Sequence, residues 1–74
     1  MEKKLIDVVR KYTKYPVEKM NSDTDIVSNL QINSLNYMRL LGEIENIYNI
    51  EFTDESIINF ATIGDVEEYI NNNI

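Results

Sequence analysis

The chain has no cysteine, no histidine and no tryptophan, and only one proline and two glycines, in 74 residues. Each absence excludes something. Without cysteine there is no disulfide staple and no thiolate nucleophile, and the redox compartment cannot be read from bridges. Without histidine the commonest general base and the commonest metal ligand are missing. Nucleophilic pairs of the Ser/His or Cys/His kind therefore cannot be assembled within the chain. No apolar run approaches the roughly 20 residues of a membrane span. The start, Met1-Glu2-Lys3-Lys4, leads at once into an amphipathic pattern containing Asp7, which is not the pattern of a secretory leader. The expectation is a cytoplasmic, monomeric protein that is not an enzyme, holds no metal and does not enter a membrane.

Strand-like alternation, internal repeats and interdomain linkers are also lacking. The length suits one small domain spanning residues 1–74. The formal net charge is −6, unevenly distributed. Residues 1–20 hold six cations against three acids; residues 21–74 hold Arg39 alone against ten acids. An acidic body of this kind repels nucleic acid and attracts basic protein surfaces.

What is present is helical periodicity. Leu5, Val8, Val9 and Tyr12 fall at i, i+3, i+4 and i+7, predicting a first helix over about residues 2–14, ended by Pro16. A long connection follows over 16–33, polar in the middle but studded with Val17, Met20, Ile26, Val27, Leu30 and Ile32. Its Asp23-x-Asp25 pair lacks the glycine and the closing glutamate of a calcium loop. The second helix is predicted over 34–48, with a core stripe of Tyr37, Leu40, Leu41, Ile44, Ile47 and Tyr48. Asn49 suits its end. Ile50-Glu51-Phe52 reads as a short extended piece, and Thr53-Asp54-Glu55 opens a short helix to about Asn59. Thr62-x-x-Asp65 opens a last helix over about 63–72 with Val66, Tyr69 and Ile70 inward. The expected fold is all-α: a small bundle of three main helices and one short helix, with a long loop between helices 1 and 2.

The junction Leu30-Gln31-Ile32-Asn33-Ser34-Leu35-Asn36 organises the rest. Serine at the start of a helix is a favoured N-cap. It also faces the positive end of the helix dipole, where an attached anion is stabilised. Ser34 thus has two readings, an ordinary cap or a site for a phosphate-linked group. Leu35 and Met38 fall on the outer face of the second helix with Arg39, Gly42 and Glu43, and would form an apolar docking patch beside it.

Asn33-Ser34-Leu35-Asn36 resembles the Asp-Ser-Leu-Asp attachment motif of the acyl carrier protein family. Glu43-Ile44-Glu45-Asn46-Ile47-Tyr48-Asn49-Ile50 resembles that family's end of the second helix. Thr53-Asp54-Glu55 resembles its Pro-Asp-Glu, and Ala61-Thr62-Ile63-Gly64-Asp65-Val66 with Tyr69-Ile70 its Thr-Thr-Val-x-Asp and terminal Tyr-Ile. Asp25 to Leu30 resembles the segment leading into the motif. The resemblance runs without a gap from about residue 25 to 70.

It implies an acyl-carrier-like bundle in which Ser34 bears 4′-phosphopantetheine, supplying the thiol that the chain itself lacks. It further implies that Leu35, Met38, Arg39, Gly42, Glu43 and Ile57 meet partners. Those partners would be a phosphopantetheinyl transferase and the enzymes that load and process the acyl group. Asn33, Asn36, Arg39 and Asn46 stand where the family commonly has acids, and Gln31 where it commonly has glycine. Those departures suggest a specialised polyketide, nonribosomal or modified fatty acid pathway. The alternative is an unmodified carrier-like module, or another acidic helical interaction domain.

Overall fold

In the computed structural model, which describes residues 2–74, four α-helices pack around one core. Helix α1 spans Lys3–Val9 and tightens into a 3₁₀ turn over Arg10–Tyr12. Helix α2 spans Ser34–Tyr48, α3 Asp54–Asn59 and α4 Ile63–Asn72. A second 3₁₀ turn, Val17–Lys19, interrupts the long connection. No described helix is long and apolar enough to cross a membrane.

The core follows from helical spacing. Leu5, Val8 and Val9 of α1 meet Leu40, Leu41 and Ile44 of α2, with Val66 and Ile70 closing the third side. A void of about 10 Å³ lies among these side chains, no larger than the roughly 10–15 Å³ that a single water needs. Phe52, Phe60 and Tyr69 stack at one end with centroids 5.0–5.9 Å apart, in tilted and edge-to-face arrangements. The Tyr69 hydroxyl donates to the Glu51 carbonyl at 2.8 Å, so its polar end is satisfied. Ile47, expected on the core stripe, is 39% exposed. At 100° per residue it lies at the edge of the stripe set by Leu40 and Ile44.

Local chemistry sets most boundaries. Asn49 ends α2 in the left-handed region (φ 53°, ψ 49°), with its own N–H and that of Ile50 both donating to the Glu45 carbonyl. Thr53 accepts from the Ser56 N–H and caps α3. Thr62 and Asp65 form a reciprocal capping box at α4. Helix α1 is shorter than its periodicity suggests. Thr13 turns extended, and its hydroxyl donates to the Leu30 carbonyl at 2.8 Å, tying the end of α1 to the next loop.

The long connection is pinned rather than loose. Ile26, Leu30 and Ile32 are buried. The Asp25 carboxylate accepts the N–H groups of Val27 and Ser28, which lowers its pKa, the Ser28 bond contributing most. That carboxylate is a turn cap. Three bonds then join the loop to the start of α4: Ile26 N–H to Ala61 carbonyl, Ile63 N–H to Thr24 carbonyl, and Gly64 N–H to Ser22 carbonyl, at 2.8–3.0 Å. A Cβ at Gly64 would lie 2.6 Å from the Ser22 carbonyl oxygen, so this approach requires glycine.

Candidate functional site

Asn33, not Ser34, is the cap of α2. Its backbone is extended (φ −75°, ψ 169°) and its side-chain oxygen accepts the Asn36 N–H at 2.8 Å. Ser34 is the first helical residue. Of the two readings of Ser34, the ordinary cap is therefore set aside, and the difference matters for chemistry. A capping serine would have its oxygen tied to the helix backbone. Here the hydroxyl is exposed, and among the described residues nothing hydrogen-bonds it. It stands at the N-terminus of a 15-residue helix, where the dipole favours negative charge.

Behind this serine the backbone is under tension. Gln31 adopts φ 54°, a region that costs a residue with a Cβ about 1–2 kcal/mol. Its neighbours Leu30 and Ile32 are both buried, so the loop cannot relax without pulling an apolar side chain from the core.

On one side of Ser34 lies an open apolar cleft of about 360 Å³, bounded by Ile32, Tyr37, Met38, Ile57 and Phe60 among others. The Tyr37 hydroxyl donates to the Ile57 carbonyl at 2.7 Å, joining α2 to α3, and burial raises the tyrosine's pKa. A larger, more polar depression of about 630 Å³ runs along Lys11, Lys14, Tyr15, Gln31 and Asn36, and Ser34 does not border it. Leu35 and Met38 stand outward as expected, 61% and 52% exposed. Gly42 continues that face, and a side chain there would meet nothing within 4 Å. Arg39 is exposed on the same face.

Two residues of the expected patch behave differently. Glu43 turns to the flank of α2. Its carboxylate accepts from Lys11 at 2.7 Å and from the Tyr12 hydroxyl. The Lys11 bond, then the Tyr12 bond, holds that carboxyl below its ordinary range, and the same contacts raise Lys11 and Tyr12. Ile57 is half-buried against the core, while its neighbour Ile58 is 81% exposed. Val27, 74% exposed, also borders the cleft. Sequence reading missed Ile58 and Val27. For Ile58 a signal existed: Ile57 and Phe60 are an i, i+3 pair, so pointing both inward leaves Ile58 outside.

The family model for the phosphopantetheine attachment site matches residues 3–70. The acyl carrier protein of Buchnera aphidicola subsp. Schizaphis graminum is 31% identical over 72 residues, covering 97% of this chain and 91% of that protein. The chain belongs to the acyl carrier protein family. The acyl carrier protein of Wolinella succinogenes is 36% identical over 56 residues, covering 76% of this carrier and 74% of that protein. A solved structure of the acyl carrier protein from Enterococcus faecalis superposes with a TM-score of 0.84 over 96% of this chain and 90% of that one, at 21% identity. The fold of the carrier is thus acyl-carrier-like, as its residue pattern suggested. Members of the family are carriers rather than enzymes, and their cofactor is phosphopantetheine.

Proposed function

We propose that Ser34 is the residue to which 4′-phosphopantetheine is esterified, and that the carrier presents acyl groups on that arm to partner enzymes. The observation that supports this best is the free hydroxyl of Ser34: Asn33 takes over the capping role and leaves the serine oxygen available. The fit of the arm rests on the same place. A phosphodiester at the first turn of α2 lies at the positive end of the dipole, and the arm beyond it can lie against the apolar cleft. When attached, the arm supplies a thiol for thioester chemistry, which a chain without cysteine cannot supply itself.

The chain's own contribution is to display and to orient. It has no histidine, and among the described residues no carboxylate hydrogen-bonds the Ser34 hydroxyl, so this reading assigns the base to the transferase. Tethering raises the effective concentration of the acyl group at each partner's active site. Leu35, Met38, Arg39 and Gly42, with Ile57 and Ile58 at the α3 edge, form the docking face, and Glu43 supports it from the flank through Lys11 and Tyr12. The neutral Asn33, Asn36 and Asn46 and the basic Arg39 favour a specialised pathway over housekeeping fatty acid synthesis. Ordinary turnover with the host's fatty acid synthase enzymes would refute that assignment.

The decisive experiment is intact mass after incubation with coenzyme A and a broad-specificity phosphopantetheinyl transferase. A gain of one phosphopantetheinyl group is expected, and Ser34→Ala should abolish it while leaving the fold unchanged. No gain with several transferases, or a gain that survives Ser34→Ala, overturns the reading.

A further inference from the structure

Helix α2 has three charged side chains, Arg39, Glu43 and Glu45. Both acids are engaged inside the fold. Glu43 holds Lys11 and Tyr12, and Glu45 accepts the Phe52 N–H at 2.7 Å. Arg39 is exposed and, among the described residues, forms no ion pair. At 100° per residue, Leu35, Arg39, Gly42 and Asn46 share a sector of about 60°, with Met38 about 40° beyond one edge and Glu43, turned to Lys11 and Tyr12, about 40° beyond the other. The outward strip of the helix that begins at Ser34 therefore presents a single charge, and that charge is positive, on a chain whose net charge is −6.

The local charge decides the fit. The acidic body acts at long range, but beyond a Debye length of about 8 Å at physiological salt its field is largely screened. A partner that seats Leu35 and Met38 in an apolar pocket also strips water from Arg39 beside them. A guanidinium desolvated without a counter-charge opposes binding, whereas a carboxylate meets it with two parallel hydrogen bonds. We propose that this carrier docks on an enzyme surface that sets an acidic side chain opposite Arg39, next to an apolar pocket for Leu35 and Met38. This inference deepens the reading of Ser34 as the attachment point and rests on it for the orientation of the docked face.

The test uses the full chain with the Ser34→Ala substitution, so that docking is measured apart from modification. One probe is a broad-specificity phosphopantetheinyl transferase with a basic docking rim. The second is the same transferase with the rim cation nearest α2 changed to glutamate. Dissociation constants are measured for carriers with Arg39 and with Arg39→Glu, at low and at physiological salt. The carrier with Arg39 should prefer the glutamate rim, and Arg39→Glu the basic rim, each by about 3- to 10-fold, with the contrast shrinking as salt rises. Equal preference of both carriers for the basic rim overturns the proposal. Arg39→Gln should fall between the two, which guards against a folding artefact. Failure of the Ser34 mass test alone leaves this charge preference standing, so the two readings fail separately.

Discussion

Replacing Gln31 by glycine should stabilise the protein. Gln31 is held at φ 54° between two buried neighbours, Leu30 and Ile32. A left-handed conformation costs a residue with a Cβ about 1–2 kcal/mol, and glycine escapes that cost. Glycine also gives the unfolded chain more freedom, which offsets about 0.5–1 kcal/mol of the gain. The exposed Gln31 side chain makes no hydrogen bond among the described residues, so nothing else is lost. The net gain is about 0.5–1 kcal/mol. For 74 residues, at about 2.1 cal/mol/K of unfolding entropy per residue, that raises Tm by about 3–6 °C. The assay is thermal unfolding followed by circular dichroism, paired with urea titration to confirm an unchanged m-value. Asn49→Gly is the control. It shares the left-handed backbone, φ 53°, but asparagine tolerates that region, so only a few tenths of a kcal/mol are expected. A Gln31→Gly chain that melts at or below the parent temperature refutes the argument that this loop stores strain.

Two further outcomes test the junction and the loop staple. Asn33→Ala should lose about 1 kcal/mol in urea unfolding, because the Asn36 N–H loses its acceptor, whereas Asn33→Asp should retain or slightly raise stability. Acid sensitivity should trace to Asp65 and Asp25, together with Glu43 on Lys11 and Tyr12. The N–H groups of Ala61 and Thr62 hold the Asp65 carboxyl below its ordinary 3.8, and those of Ser28 and Val27 do the same for Asp25. Folded values below the unfolded one mean that both contributions are complete above pH 3.8 and disappear as pH falls through the folded values. Melts stepped downward in pH should therefore show a steep acid limb that Asp65→Asn flattens; an unchanged limb would exclude Asp65 as its source.

Where a boundary depends on neighbours in the chain, the residues announce it. The Leu40, Leu41 and Ile44 spacing, with Asn49 behind it, marks α2 from Ser34 to Tyr48. Thr62 and Asp65 mark the start of α4 in the same way. Where a boundary depends on a distant partner, local pattern fails. Helix α1 stops short because Thr13 reaches Leu30 and Tyr12 reaches Glu43, contacts with no trace in the spacing of residues 2–14. The choice of cap between Asn33 and Ser34 was equally illegible, since both residue types cap well and only the loop geometry favours the first. The outward placement of Leu35, Met38, Arg39 and Gly42 on one face of α2 was readable from helical spacing. Glu43 left that face for a partner on α1, and Val27 lies in a loop without a period to assign its direction.

The bonds from Ser22, Thr24 and Ile26 to Ala61, Ile63 and Gly64 span about forty residues of chain, a separation at which loop closure is entropically costly. During synthesis the segment before Ser34 emerges long before the strand of backbone that moors it. Until Ala61 has been added Ile26 has no carbonyl to bond, and until Gly64 follows Ser22 has no amide. The display of one hydroxyl is therefore a property of the finished polypeptide. Transplanting residues 25–41 alone into another scaffold would carry the letters of the motif without the moorings that shape it.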